Sequence, residues 1–344
     1  MSKSISVIRL GGGSWRWRPR VALVCLLLAA LAVLLGILLL GIGSLPLTPA
    51  QVLSSLLGST DDSTAQRIVS RVRLPRVLTA LLVGASLGMA GSIFQSISRN
   101  ALGSPDIIGF TTGAASGAIV QIILFDAGPL ATSLAAVVAG MLTAAAVFVL
   151  AMKGGSTGGY RLVLVGIGVG AMLSGLNTVL LVSGDLDQVM TAQLWLAGSL
   201  NTRTWSHVTP AALGLLLIAP LALYQARRLN LLEMGDDIAS QLGVAVERTR
   251  LLMVLAAVAL TAIATAAAGP IAFIALAAPQ LARRLTGGAG VPLLSGALMG
   301  AVLLLLADLV SQRFPLSLNM PIGLTTGMLG SVYLLWLLGR NRRM

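Results

Sequence analysis

Asn230–Arg250 reads NLLEMGDDIASQLGVAVERTR, a polar island with long apolar runs on both sides. It holds Glu233, Asp236, Asp237 and Glu247, four of the eleven acidic residues in the chain. Uncompensated polar and charged groups in lipid cost several kcal/mol, so this stretch belongs in water. Arg227, Arg228, Arg248 and Arg250 bracket it, which places that water on the cytoplasmic side. A structured cytoplasmic loop on an otherwise lipid-buried chain is a candidate docking surface.

Outward from the island, 56% of the 344 residues are hydrophobic and only 10% are charged, with a mean hydropathy of +0.94. Soluble domains carry about 25% charged residues, so the composition points to a multi-span helical membrane protein. The 39 glycines suit close helix packing in lipid. A formal charge of +12 does not indicate nucleic acid, because the arginines stand in pairs at the ends of apolar runs rather than in one patch. The single cysteine, Cys25, and single histidine, His207, offer neither an intrachain disulfide nor a metal cluster. The apolar run 21–42 follows a basic N-terminal tail (1–20). It is about twice the length of a signal-peptide core, so it reads as a first span.

Runs near the ~20 residues that cross a bilayer fall at 21–42, 74–98, 106–125, 129–152, 161–183, 206–226, 249–269, 271–286, 291–312 and 321–339. The expected fold is therefore an all-α membrane protein of about ten transmembrane helices in one domain, 1–344. The eighth run is short and contains Pro279, so it should be bent or tucked against protein. With both termini cytoplasmic and the spans alternating, 17 of the 23 Lys and Arg fall inside. The outside exceptions are Arg67, Arg71, Arg73, Arg76, Arg203 and Arg313. Trp15, Trp17, Trp195, Trp205 and Trp336 sit near span ends. Two surface helices are expected on the outer side. One follows N-cap Thr48 and Pro49 with a stripe of Val52, Leu53, Leu56 and Leu57; the other lies within 188–200.

Four features are candidates for function. Arg67, Arg71, Arg73 and Arg76 either snorkel and pair with Asp61 or Asp62, or form a landing patch for an acidic partner. In the island, Gly235 breaks the chain, Asp236 or Asp237 caps a short helix, and Gly243 ends it. Met234, Ile238 and Leu242 recur every four residues and share a face, which packs either on the chain's own bundle or in a partner's groove. In the fifth span, Gly166, Gly170, Ser174 and Asn177 make one small, polar stripe, either a close helix contact or the wall of a path. Asp308 is the clear acid within a span, with Arg313 five residues on as a candidate partner. There is no nucleotide-binding glycine loop and no nucleophile–base or metal-protease pattern, so energy for uphill transport would have to enter through a partner.

The stretches RLPRVLTALLVGASLGMAGSIFQSISRNALGSPDIIGF (73–110), LLEMGDDIASQLGV (231–244), GPIAFIALAAPQLARRL (269–285) and PIGLTTGMLGSVYLLWLL (321–338) resemble the permease subunits of ABC importers for vitamin B12 and ferric siderophores. LWLAGSLNTRTW (194–205) is similar to the ferric-enterobactin, catecholate subtype. The resemblance implies a type II ABC importer permease fold and a path between two permeases, the second a paralogue or a second copy. It implies a cytoplasmic ATPase dimer that binds the ATP, a periplasmic or lipid-anchored binding protein, and alternating access for a ferric siderophore. It makes Glu233, Met234, Gly235, Asp236, Asp237, Ile238, Ala239, Leu242 and Gly243 (within coupling region 230–247) the ATPase-docking segment. Arg73 and Arg76 would meet the binding protein. Arg313 stands one residue past the family's position for a third such arginine. Gly170, Ser174 and Asn177 would face the path. Neither a cofactor nor a metal is implied for this subunit. Readings of other kinds are an ion-coupled secondary transporter working through Asp308, a membrane-embedded enzyme, and, within the same family, a vitamin B12 or haem permease.

Overall fold

The computed structural model describes residues 6–10, 13–43, 45–58, 63–106, 109–154, 157–288, 290–313 and 320–341. Helices dominate: α1 (Pro19–Gly41), α2 (Pro49–Leu57), α3 (Ser63–Ile68), α4 (Leu74–Ser98), α5 (Phe110–Phe125), α6 (Pro129–Ala151), α7 (Gly159–Ser183), α8 (Leu186–Leu196), α9 (Trp205–Tyr224), α10 (Ala226–Glu233), α11 (Asp236–Gln241), α12 (Val246–Ala268), α13 (Ile274–Thr286), α14 (Leu293–Arg313) and α15 (Ile322–Asn341). Instead of an unstructured tail, β1 (Ser6–Leu10) and β2 (Gly13–Trp17) pair antiparallel, Ser6 opposite Trp17 and Leu10 opposite Gly13. Val7, Ile8, Trp15 and Trp17 are residue types that favour strands, which a tail reading based on charge overlooks.

Seven described helices are long and apolar enough to cross a membrane: α1, the α3–α4 rod, α6, α7, α9, α12 and α14. Among the described residues the expected count of about ten is not reached on length and composition; α5 has 16 residues and α13 only 13, and α15, with 20, is not among the seven. As anticipated for the Pro279 run, α13 is tucked against protein, with Ile274 to Gln280 all buried. Centre and periphery separate clearly. The most apolar window of the α3–α4 rod is 83% buried and those of α12 and α14 are 67% buried, against 17% for α9 and 22% for α7.

α4 is the axis, packed by α14, α12, α13 and α9. Its crossing with α14 is made of glycines. A methyl group on Gly84 would sit 2.8 Å from the Ala301 Cα, and one on Gly88 would sit 2.9 Å from the Gly296 carbonyl carbon. Between lipid-embedded helices the hydrophobic effect gives little drive, so backbone-to-backbone approach supplies the contact.

The α3–α4 rod changes pitch at Val69–Arg73, a π-helical turn in which the Leu74 N–H reaches the Val69 carbonyl. Pro75 follows directly. Proline has no N–H to donate, and its ring crowds the carbonyl four residues earlier, so a wider turn relieves the clash.

At one end of the bundle, the Thr48 and Gln51 side chains form the reciprocal cap of α2, with Thr48 N–H donating to Gln51 Oε1 at 2.9 Å. The expected stripe does not face the bundle as a unit. Val52 is buried, while Leu53, Leu56 and Leu57 are exposed. α8 starts two residues before the expected segment, and the Asp185 N–H donates to the Gln188 side chain at its start. The other end collects Arg18–Arg20, the end of α4, Thr157, α10–α11 and the α13–α14 loop. Arg20 donates to the Leu285 carbonyl at 2.9 Å, and Val291 N–H donates to Asn230 Oδ1 at 2.6 Å. These segments are the ones that charge assigns to a single side.

Candidate functional site

The polar island folds as two short helices joined at Gly235. Gly235 and Gly243 have φ of +122° and +81°, a region that side-chain-bearing residues avoid. Neither Asp236 nor Asp237 caps α11. Gly235 occupies the N-cap, and both aspartates lie in the first turn, where they suit the helix dipole. Ala239 is fully buried, on the side of α11 that packs against the bundle. The expected single-helix stripe is broken at Gly235, because Met234 closes α10 while Ile238 lies in α11 and Leu242 at its C-cap; all three are nonetheless turned away from the chain's own core, at 60%, 45% and 58% exposed.

Asp236 has a different task from its neighbours. It pairs with Arg99, the left-handed C-cap of α4, and with Arg250 Nη2 at 2.8 Å. Arg250 is 1% exposed and also pairs with Glu247, which accepts from Thr157 Oγ1 at 2.8 Å in the α6–α7 loop. Glu233 pairs with Arg283 of α13. These bonds tie the segment to α4, α12, α13 and the α6–α7 loop. They hold a buried guanidinium that is costly to leave unpaired. Asp236 and Glu233 therefore fasten the segment from within, and Asp237 with the apolar stripe is what it presents outward.

At the opposite end, the row of arginines divides. Arg67 and Arg71 are exposed. Arg73, expected to meet a partner, is 8% exposed and turned inward, donating to the Leu40 carbonyl at 2.8 Å and to that of Leu45, so it closes the C-terminus of α1. The π turn rolls it onto that face. Arg76 grips the fully buried Asp308, with Nη2 at 2.7 Å from Oδ1, and its Nη1 donates to Asn201 Oδ1 at 2.6 Å. Gln312 donates to the same carboxylate at 2.9 Å. The partner of Asp308 is thus Arg76, 232 residues away, and not Arg313, which ends α14 exposed. Asp61 and Asp62 lie outside the described residues. Arg203 is partly buried between α8 and α9, donates to the Ser199 carbonyl at 2.9 Å, and has its pKa lowered by that burial.

The Arg76–Asp308 pair tests the ion-coupled alternative. Asp308→Asn is expected to cost about 3 kcal/mol, because it strands a guanidinium whose side chain is only 23% exposed. Replacing both partners together (Asp308→Leu with Arg76→Met) should recover most of that in a thermal unfolding assay. Full stability of Asp308→Asn with complete loss of transport would instead favour a titrating carrier.

The stripe on α7 splits between two roles. Gly170 packs against Gly109, whose own added methyl would sit 2.9 Å from the Gly170 Cα. Gly170, expected to face a path, is a close-contact residue. One to two turns on, Ser174 and Asn177 line a cavity of about 480 Å³ with Thr111, Thr112 and Asp106. Asp106 accepts from Thr111 Oγ1 at 2.7 Å, and the Asn177 Oδ1 is buried with no protein partner. Sequence reasoning overlooked Asp106 because it opens the third apolar run and reads as a boundary residue. Among the described residues no cluster of His, Cys, Asp or Glu is suited to a metal ion.

Comparison with known proteins places this arrangement. The FecCD transport family model matches residues 27–340. The ferric enterobactin transport system permease FepG of Escherichia coli is 48% identical over 324 residues, covering 94% of this chain and 98% of that protein. The achromobactin permease CbrC of Dickeya dadantii is 38% identical, covering 94% and 92%, and the hemin permease HmuU of Yersinia pestis is 35% identical, covering 92% and 96%. A solved inward-facing structure, described as a metal-chelate type ABC transporter, superposes with a TM-score of 0.83 at 30% identity, over 93% of this chain and 99% of that one. With its helical bundle, its tethered α11 and its match along nearly the whole length, the chain belongs to the FecCD transport family of membrane permeases.

Proposed function

We propose that this chain is one of two permease subunits of an ATP-driven importer that moves a ferric siderophore, of catecholate, enterobactin-like chemistry, across the bacterial cytoplasmic membrane. The observation that carries the reading is the outward exposure of Met234, Ile238 and Leu242 on a segment, 230–247, fastened to four other parts of the bundle. A segment held this way transmits a push from a docked motor into α4, the axis of the fold. The 48% identity to a ferric enterobactin permease supports the cargo class.

On this reading ten helices cross the membrane, with α5, α13 and α15 completing the seven long ones, in a type II ABC importer permease fold. Both termini and α11 lie in the cytoplasm. A dimeric ATPase, which binds the ATP, seats α11 from Glu233 to Gly243. A periplasmic or lipid-anchored binding protein lands on the outer arginines Arg76 and Arg313, flanked by Arg67 and Arg71. Arg73 serves that surface by fixing the α1–α2 connection. The second permease is a paralogue, and the poorly buried α7 and α9 supply apolar surface for it or for lipid. Ser174 and Asn177, with Asp106 and Thr111, line part of the path, and Gly170 holds α7 against the segment before α5. Hydrolysis alternates access by moving α11, and this subunit makes and breaks no covalent bond.

The test is reconstitution of the chain with its permease partner, ATPase and binding protein in proteoliposomes loaded with ATP. Uptake of radiolabelled ferric enterobactin should require hydrolysable ATP and the binding protein. Uptake driven by a proton gradient in the absence of the ATPase would overturn the reading.

A further inference from the structure

At the α11 end of the bundle, a groove of about 790 Å³ runs between the start of α1, the α9–α10 junction and the α13–α14 loop. Arg18 and Arg227 line it together with the apolar Val21, Leu223 and Leu294 and the uncharged polar Asn230, Thr286 and Ser295. No acidic residue lines it. Of the four carboxylates in segment 230–247, Glu233 pairs with Arg283, Asp236 with Arg99 and Arg250, and Glu247 with Arg250, while Asp237 is exposed on α11 and does not line the groove. Two neighbouring arginines are likewise committed to protein, Arg20 to the Leu285 carbonyl and Arg228 to the Gln225 side chain. Arg18 and Arg227 are exposed and pair with no carboxylate among the described residues.

Two arginines, Arg20 and Arg18, lie against the glycines of the α13–α14 loop. Gly287 has φ of +58°, and a methyl on it would sit 2.8 Å from Arg20 Nη1. Methyls on Gly288 and Gly290 would meet Arg18 Nη1 at 3.6 and 3.7 Å, ordinary van der Waals contact, which places Arg18 beside this loop. Two exposed guanidiniums that share a groove with apolar side chains, where a span meets water, match a phosphate and the acyl chain attached to it. A soluble anion would use the arginines and leave the apolar side chains uncovered.

We propose that this groove binds an anionic phospholipid, its phosphate on Arg18 and Arg227 and an acyl chain along Val21, Leu223 and Leu294. The orientation proposed above makes this the cytoplasmic leaflet; the site itself does not depend on that reading.

The test is native mass spectrometry and thermal unfolding of the full-length chain in its purified complex, with phosphatidylglycerol added to detergent micelles. Phosphatidylglycerol should be retained and raise the unfolding temperature, while phosphatidylcholine and inorganic phosphate should not. Arg18→Gln with Arg227→Gln should lower phosphatidylglycerol retention roughly thirty-fold, as expected for two basic headgroup contacts. Leu294→Trp should lower it with the charge unchanged, so the result does not rest on one variant. Arg248→Gln, an exposed arginine at the same end but outside the groove, should leave it intact. Equal retention of phosphatidylcholine, equal stabilisation by inorganic phosphate, or unchanged retention in both groove variants would each overturn the proposal.

Discussion

Gly88→Val is expected to yield no monodisperse protein, the largest structural effect of any single substitution considered. Gly88 lies where α4 crosses α14, and the first carbon of a side chain there would already sit 2.9 Å from the Gly296 carbonyl carbon and 3.2 Å from the Gly300 Cα. The obstructing atoms are backbone, so no rotamer change relieves them, and two central helices must separate. Overpacking a core typically costs 1–3 kcal/mol where side chains can give way; here the cost should exceed about 3 kcal/mol. Separating α4 from α14 also strains the Arg76–Asp308 pair and the Ser92 hydroxyl's bond to the Pro292 carbonyl, which span the same interface. The measurement is membrane abundance and the size-exclusion profile in mild detergent. Gly168→Ala is the control: nothing lies within 4 Å of its added methyl, and alanine is the better helix former by about 1 kcal/mol, so its yield should match or exceed the wild type. A well-folded Gly88→Val would mean that the α4–α14 spacing is not set by its glycines.

What the sequence made legible was local. Gly235 and Gly243 mark the ends of α11 because a positive φ leaves few other choices, and both carry one. Pro279 in a short run foretold a helix sheltered by protein, as α13 is. Thr48 and Pro49 marked the start of α2, and the structure adds Gln51 as the reciprocal partner of the cap. What stayed hidden was pairing across distance. Asp308 looked toward Arg313, five residues on, yet the fold delivers Arg76 from another helix. Asp236 read as a cap, but its carboxylate goes to Arg99 and Arg250. The stripe with Gly170 read as either a close helix contact or a path wall, and only the fold shows Gly109 brought against it. Arg73 read as an exposed charge because Pro75 signals a disturbed turn without saying which way its neighbours roll, and the carbonyls that Arg73 meets come from the end of α1 and the loop after it. A charge or a glycine in a membrane helix declares that it needs a partner, and only the assembled bundle says which one. Hence the exposure of Ile238 and Leu242 followed from a local pattern, but the break at Gly235 takes Met234 out of their helix, and the fastening of the segment was not readable at all.

Leu242→Glu should separate ATP hydrolysis from transport while leaving the subunit folded. Leu242 is 58% exposed and makes no part of the buried clusters, so the change should alter the unfolding temperature little. In a partner's groove the same side chain would be desolvated, and burying a leucine contributes about 1.5–3 kcal/mol. Forcing a carboxylate into that groove adds its desolvation cost, so affinity for the ATPase should fall at least about a hundredfold. Binding measured by surface immobilisation of the ATPase should show that loss, and binding-protein-stimulated hydrolysis should drop to the basal rate. Asp236→Asn provides the contrast. It leaves the stripe intact but loosens the links to Arg99 and Arg250, so the ATPase should still bind while uptake per ATP declines. The two variants thus fail at different steps, one at docking and the other at transmission from α11 into α4. If Leu242→Glu binds the ATPase and imports at the wild-type rate, α11 is not the seat of the motor, whatever its resemblance to such segments.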